Sequence, residues 1–437
     1  MLKGKTVAPL TLGCKVNQYE TDGMIELLKE AGMTAVSFEE KADVYLINTC
    51  SVTNMADKKS RQMIHRAKKL NPDAVVIAAG CYVQAAKDKL MEDDRISIII
   101  GNNKKKDIVQ ILEDYLEIGV TDEGMLDIAA EKEYEPLTIN STLEHTRAYV
   151  KIQDGCNQFC SYCIIPYVRG RIRSRELASI TEEVERLAKT GVKEIVLTGI
   201  HISSYGKDKE NEVGLADVID AISKIESIER IRLGSLEPGI ITDTFIDRIV
   251  DNKKVCPHFH LSLQSGCNTV LKRMNRKYTC EEYFEKCEML REAFDRPALT
   301  TDVIVGFPGE TDEEFQETVA YLTKLNLYEM HIFKFSPRQG TVAAGMRDQI
   351  GPEIKNQRSD VLLALSEKNK HAYEASFRGE TLEVLVEEKV RRNGKNGYRG
   401  HTERYIDIFV EEECMHRICG READIINHIV QIPYGME

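Results

Sequence analysis

The chain has 437 residues, 42% of them hydrophobic and 30% charged, with a formal net charge of −12. That length suits about two to four domains with ample core, and the negative balance excludes a binder that grips nucleic acid by bulk charge alone. No apolar run reaches the ~18 residues of a membrane span, and Met1-Leu2-Lys3-Gly4-Lys5 lacks the apolar core of a secretory leader, so a cytoplasmic location with no membrane association is expected.

Residues 1–112 alternate apolar strands with helices. Thr6–Gly13, Val44–Thr49, Val75–Ala79 and Ile96–Ile100 read as strands. A helix capped by Asn17 carries Met24, Leu27, Leu28 and Ala31 at helical spacing, a polar helix runs through Lys58–Leu70, and another lies around Gln84–Met91. The alternation predicts a doubly wound, mainly parallel sheet. Cys14, Cys50 and Cys81 each follow the end of such a strand, and sheets of this kind bind ligands beyond their carboxyl ends. Three thiols in register, two of them after glycine, favour a metal centre; free cysteines buried at strand ends are the alternative. With twelve cysteines in all, a cytoplasmic chain points to metal chemistry more than to disulfides.

Residues 113–146 contain Glu113, Asp114, Glu117, Asp122, Glu123, Asp127, Glu131, Glu133 and Glu135, followed by Pro136. This stretch is expected to be an acidic linker, part helical.

Residues 147–377 repeat the strand and helix pattern, with strands at Ala148–Gln153, Glu194–Gly199, Arg230–Leu236, His258–Gln264, Thr300–Gly306 and Glu329–Phe335. Three capping boxes are expected: Ser179 with Glu182, Thr279 with Glu282 and Thr311 with Glu314. After the first strand comes Gly155-Cys156-Asn157-Gln158-Phe159-Cys160-Ser161-Tyr162-Cys163, three thiols at spacing C-x3-C-x2-C. A structural zinc site or a ferredoxin-type cluster uses four ligands. Three thiolates on a four-iron cube leave one iron open. A three-cysteine zinc site and unrelated core thiols are the alternatives.

This loop resembles the signature of the radical S-adenosylmethionine (SAM) enzymes. The resemblance implies that Cys156, Cys160 and Cys163 ligate a 4Fe-4S cluster, that the open iron chelates SAM, and that Tyr162 lies against its adenine. It also implies a partial (β/α)6 barrel with its chemistry at the carboxyl ends of the strands. His260, Ser262 and Gln264 share one face of an alternating strand and are expected to line the interior as SAM contacts, with a satisfied core network as the alternative for His260. Thr198, Gly199 and Glu237, at other strand ends, are further SAM candidates.

Leu12-Gly13-Cys14-Lys15-Val16-Asn17, Asn48-Thr49-Cys50-Ser51-Val52 and Gly80-Cys81 are similar to the N-terminal domain of the methylthiotransferases. In that family the three cysteines hold a second 4Fe-4S cluster that carries the sulfur to be donated. The wording of these motifs and of Ser265-Gly266-Cys267-Asn268 looks most like the MtaB-type subgroup, which acts on N6-threonylcarbamoyladenosine beside the anticodon of tRNA. Sibling subgroups act on isopentenylated adenosine or on an aspartate of a ribosomal protein. The resemblance implies a low-potential electron donor of flavodoxin or ferredoxin type and a sulfur source as partners.

Ile354–Phe377 reads as a connecting helix. Residues 378–437 then turn to strands at Thr381–Val386, Tyr405–Val410, Arg417–Cys419 and His428–Ile432, predicting a small β-barrel. It resembles a TRAM domain, an RNA-binding barrel. Twelve acids against eight Lys and Arg over 380–437 require any RNA surface to be local. Arg391, Arg392, Lys395, Tyr398, Arg399 and Arg404 are its candidates. Arg171 and Arg173, in the acid-free run Arg169–Arg175 after the cluster loop, are two more, and with Arg273 they are the expected readers of the threonyl carboxylate. A non-catalytic, RNA-binding iron–sulfur sensor is the rival reading.

Overall fold

The computed structural model describes residues 1–119, 124–140, 146–210, 213–420 and 424–435. Its first part is a five-stranded parallel sheet in the order β2-β1-β3-β4-β5. The strands are β1 (Thr6–Thr11), β2 (Thr34–Ala35), β3 (Val44–Thr49), β4 (Val75–Gly80) and β5 (Ile98–Ile100). Helices α1 (Lys15–Glu30), α2 (Asn54–Leu70), α3 (Cys81–Ala85), α4 (Lys87–Met91) and α5 (Ile108–Ile118) flank them, so central β3 is buried along its whole length. The single helix expected around Gln84–Met91 is two short ones. Asn17 is not the cap of α1. Cys14 holds that position, while the Asn17 amide turns inward and donates to the carbonyls of Leu12 at 2.7 Å and Thr49 at 2.9 Å. Thr53 caps α2, accepting from the Ala56 N–H at 3.1 Å, which starts that helix before its expected Lys58.

The stretch expected as an acidic linker is built into the core over its later part. Ile128, Leu137 and Ile139 are buried, the Tyr134 hydroxyl donates to the Lys151 carbonyl at 2.9 Å, and buried Glu135 accepts from the Lys106 N–H at 2.9 Å. Dense acid in the sequence hid these few apolar anchors. Asp122 and Glu123 lie outside the described residues.

Six parallel strands follow: β6 (Arg147–Asp154), β8 (Glu194–Gly199), β9 (Arg230–Leu233), β10 (His258–His260), β11 (Ala298–Val305) and β12 (Glu329–Lys334). Short β7 (Arg173–Ser174) pairs antiparallel with the end of β6. They form two sheets, β7-β6-β8-β9 and β10-β11-β12, joined by parallel bridges at Ile231–Val255 and Leu236–Leu261 into a partial barrel. Around it run α6 (Ile165–Val168), α7 (Leu177–Lys189), α8 (Leu215–Ser223), α9 (Asp243–Ile249), α10 (Asn268–Arg273), α11 (Cys280–Ala293), α12 (Asp312–Leu325) and α13 (Pro352–Ala375). The boxes at Thr279 with Glu282 and Thr311 with Glu314 form as expected. Ser179 is no cap: α7 begins at Leu177, and the Ser179 hydroxyl inside it accepts from Arg175 Nε at 3.1 Å.

Strand alternation sorts the barrel's two faces. Ala148, Val150 and Ile152 of β6 join Ile180 and Val184 of α7 in the outer core. The other face of β6 meets α1: the Lys15 ammonium lies 5.8 Å from the centre of the Tyr149 ring, and Lys151 pairs with Glu20 at 2.6 Å. Helix α1 of the first sheet therefore lies along the inner wall of the barrel.

The chain ends in a four-stranded antiparallel sheet in the order β15-β14-β13-β16, a half-barrel of β13 (Thr381–Arg392), β14 (Lys395–Thr402), β15 (Asp407–Glu411) and β16 (Ile429–Pro433). The strand expected at Arg417–Cys419 is instead the end of α14 (Glu412–Cys419), an amphipathic helix that buries Met415. This sheet closes the amino ends of the barrel strands. Arg230 donates to the carbonyls of His401 at 3.0 Å and Glu383 at 2.9 Å, and Arg232 donates to that of Glu403 at 2.8 Å.

Candidate active site

Cys156, Cys160 and Cys163 occupy the loop after β6. Positive φ at Gly155 (69°) and Phe159 (49°) folds the loop back on itself. A side chain at Gly155 would meet the Arg171 carbonyl at 1.8 Å, so only glycine fits. The loop's sulfurs take few hydrogen bonds: Cys156 accepts from the Gln158 N–H at 3.4 Å and Cys160 from Arg276 Nη1 at 3.2 Å. Burial pushes the Cys156 thiol up to about 11 and the Cys163 thiol up to about 12, and each lies close enough to Cys160 to be raised further by its charge.

The second triad sits on the first sheet. Cys14 caps α1 and Cys81 opens α3, so two of its thiols stand at helix amino ends, where an anion is favoured. Gly13, at φ 103°, brings the turn so close that an added Cβ would lie 2.7 Å from Cys50 Sγ. Burial raises the Cys50 thiol to about 11 and raises that of Cys14, with the neighbouring thiols adding to both shifts. Cys14 keeps solvent access while being walled by protein, as a group lining an interior cavity does. Each triad thus gathers three sulfurs close enough to repel one another as thiolates. That donor set fits a polycationic iron–sulfur group, which would draw off the protons.

The two triads meet. Cys81 packs with Ile164 and Val168, just past Cys163. Arg169, fully buried, bonds the Cys81 sulfur and reaches Glu20, Asp154 and Asn17. On the far side Arg338 ties the barrel to the Cys50 loop, donating to Ser51 Oγ at 2.7 Å and Asp57 Oδ2 at 2.7 Å. Between them opens a cleft of about 240 Å3, walled by Val52 and Thr53 of the first sheet and by Tyr162, Cys163, Gln264 and Phe333 of the barrel.

Of the expected SAM contacts, Tyr162 and Gln264 line this cleft. Gln264 stands at φ 74°, a strained backbone at the end of a barrel strand. Glu237 is held by His201 Nε2, by Gln158 Nε2 at 2.8 Å and by Arg276 at 2.8 Å. Burial pushes its carboxyl up, but the His201 hydrogen bond and the Arg276 charge outweigh this and hold it below the usual range. His260 faces the interior, with Nδ1 3.0 Å from Thr300 Oγ1, Nε2 3.3 Å from Asp302 and its ring stacked on His331. Thr198 is buried. A Cβ on Gly199 would press the Gln153 carbonyl at 2.9 Å, so the backbone is close-packed there. Ser262 contributes its carbonyl, which accepts from Arg276 at 3.2 Å.

The sequence reading gave no site role to Lys15, Arg276, Asp302 or His331. Period-two alternation from Thr300 could have found Asp302. Lys15 is accessible yet enclosed. Burial, then the charges of Arg232 and Arg147, lower its ammonium to about 8.

The expected basic surface after the cluster loop is not one. Arg173 is buried beside Asp154 at 3.9 Å, and Arg175 is buried against Glu183. Their acids come from other segments, so the sequence showed cations without partners. Arg171 remains outward, 4.5 Å from the centre of the Phe159 ring. Arg273 is held bidentate by Glu314 at 2.8 and 2.6 Å. In the last sheet Arg404 turns inward to the carbonyls of Asp295 and Arg296, so it braces the barrel. Lys395 pairs with Glu411 at 2.6 Å and Arg399 with Asp407 at 2.9 Å, while Tyr398 lies 5.7 Å beneath Lys389. Among the described residues Arg391 bonds only the Gly394 carbonyl, and Arg392 stands 3.9 Å from Asp407.

Residues 150–322 match the Radical SAM superfamily and residues 6–101 match Uncharacterized protein family UPF0004. The chain is 42% identical over 406 residues to the threonylcarbamoyladenosine tRNA methylthiotransferase MtaB of Bacillus subtilis, spanning 92% of this chain and 90% of that one. It is 41% identical to the protein of the same name from Aquifex aeolicus, over 92% of this chain and 96% of that one. It is 36% identical to the tRNA-2-methylthio-N(6)-dimethylallyladenosine synthase of Thermodesulfovibrio yellowstonii, over 93% and 94%. Among solved structures, the radical SAM methyltransferase TsrM of Kitasatospora setae shares the fold, with a TM-score of 0.57 at 16% identity over 76% of this chain and 73% of that one.

Proposed function

The chain belongs to the radical SAM methylthiotransferases, and from that premise we propose that it adds a methylthio group to C2 of N6-threonylcarbamoyladenosine beside the anticodon of tRNA. The observation that carries this reading is the meeting of two cysteine triads, with Cys81 packed against Ile164 and Val168 just past Cys163, and with Cys163 on a cleft whose other wall, Val52 and Thr53, follows Cys50. Membership makes the chain an enzyme and sets the sensor aside. Its cofactors are SAM and two 4Fe-4S clusters.

We assign Cys156, Cys160 and Cys163 to the cluster that binds SAM, and Cys14, Cys50 and Cys81 to the one that stores sulfur. Bound there, these groups supply the carbon radical and the sulfur that an inert purine C–H bond demands. The chain's own residues do the positioning. Tyr162 and Gln264 offer a stacking face and an amide to SAM in the cleft. Arg276 joins Cys160 to Glu237 and fixes the loop against the barrel. Arg338 and Arg169 hold the first sheet down on the barrel. Exposed Arg171, Arg391 and Arg392 are the cations we assign to RNA phosphate. A flavodoxin- or ferredoxin-type donor, a sulfur source and a cytoplasmic setting complete the reading; no helix among the described residues is long and apolar enough to cross a membrane.

The choice of threonylcarbamoyladenosine is supported by two relatives named for that nucleoside, at 42% and 41% identity, against 36% to the Thermodesulfovibrio yellowstonii relative and 38% to the Protochlamydia amoebophila relative named for dimethylallyladenosine. Mass spectrometry of tRNA nucleosides from a strain lacking the gene tests it. Loss of the methylthio form of threonylcarbamoyladenosine alone is expected. Loss of the isopentenyl form instead moves the protein to the sibling subgroup, and no change in either points to the ribosomal protein.

A further inference from the structure

Lys15 directly follows Cys14 and sits in the first turn of α1, on the inner wall of the barrel. A cation at a helix amino end is disfavoured by the helix dipole, so its place needs a reason. Among the described residues its ammonium has no hydrogen bond and no ion pair; it faces the Tyr149 ring, 5.8 Å from its centre. The surroundings add positive charge. Arg147 and Arg232 supply it, and His258, whose imidazole burial and the Arg232 charge hold in the neutral form, shares the same space. The nearby acid, Glu194, is already taken by Arg232 at 2.7 and 3.1 Å. His258 Nδ1 is buried with no hydrogen-bond partner. An enclosed, unpaired ammonium beside an unsatisfied imidazole is a site short of an anion.

We propose that Lys15 is the specificity-determining cation of the barrel, binding the carboxylate of the substrate's threonylcarbamoyl group. This rests on the substrate reading above. The geometry suits it because Lys15 adjoins a donor-triad cysteine, so the base presented to that sulfur carries its N6 substituent into the same chamber. The isopentenyl group has no charge to offer there. Arg171, Arg173 and Arg273, the cations expected from sequence, are stacked, buried or paired elsewhere. A charge-assisted pair in an enclosed site is strong enough to set substrate choice.

The test measures binding of an anticodon stem-loop bearing threonylcarbamoyladenosine against the same RNA with its carboxylate converted to the carboxamide. The protein is the full reconstituted chain. The native chain is expected to prefer the carboxylate by about tenfold or more, and Lys15→Met to bind both alike. Lys15→Arg should restore a preference. If Lys15→Met keeps the full discrimination, the role of Lys15 is overturned. If the native chain binds and modifies the isopentenyl stem-loop in preference to the threonylcarbamoyl one, the substrate reading fails first, and Lys15 with it.

Discussion

Arg169 donates its Nε to the sulfur of Cys81 at 3.2 Å, across 88 residues of sequence. A cation from the loop of one triad is thereby buried against a thiol of the other. The same guanidinium bonds Glu20 and Asp154, so the seam between sheet and barrel is a closed ionic network in a dry setting, where removing one partner strands the others.

Arg169→Met should destabilise the protein by about 3–5 kcal/mol, because two carboxylates lose their main countercharge in a buried site. Chemical denaturation measures this. An Arg169→Met chain as stable as the parent would mean that water reaches the seam.

Anaerobic reconstitution should give about eight irons per chain from two four-iron cubes, and replacing Cys156, Cys160 and Cys163 together by Ala should leave about half. Iron analysis decides it. A full iron load in the triple variant removes that loop as a cluster site.

Gly13→Ala should lose the other half. The new methyl would sit 2.7 Å from Cys50 Sγ, at a backbone φ of 103° that side chains rarely adopt. Iron content near half, with the radical-loop cluster's spectrum intact, is the expected result. Retention of both clusters would show that the Cys50 loop moves aside freely.

Glu20 gives a pH signature. Burial alone would raise its carboxyl, but Arg169, Lys105 and Lys151 outweigh it and hold the folded value well below the ordinary range. The stabilisation it brings is therefore full above its unfolded pKa of about 4.3 and is lost as pH falls through the lower folded value. Between pH 5 and 8 the melting temperature should owe nothing to Glu20 titration. A Glu20→Gln variant should be less stable than the parent by a constant margin there, and the gap should close only in stronger acid. A gap that narrows between pH 8 and 5 contradicts the depressed carboxyl.

Reversing Arg391 and Arg392 to Glu should weaken tRNA binding and flatten its salt dependence, by about 0.9 in log–log slope for each phosphate that is no longer neutralised. Truncating the last sheet is the wrong experiment, since Arg230 and Arg232 are buried on its carbonyls. Unchanged affinity in the double reversal would move the RNA face to the neighbourhood of Arg171.

Both triads were legible in the sequence because strand-end position and short spacing are local properties. Cys14 and Cys81 announce themselves through the glycine before them, and Cys156–Cys163 through their count. The misreadings have a common cause in distance along the chain. Arg173 and Arg175 looked like a basic surface because Asp154 and Glu183 lie in other elements. Ile128 and Leu137 were hidden among acids in the same stretch. Residues 412–419 were read partly as strand because β-branched and sulfur side chains suit either state, and only the buried stripe through Met415 settles the helix.

The reach of Arg169 back to Cys81 also bears on how the protein is made. A nascent chain leaves the ribosome amino end first, and its early domains fold as they emerge. The first sheet can form while Ile164, Val168 and Arg169 are still unsynthesised, so its thiols then lie open on the side these residues later cover. An iron–sulfur carrier arriving at that stage meets an uncovered triad; one arriving after the barrel docks must enter through the cleft. Which segment supplies the lid thus decides when in synthesis Cys81 becomes covered.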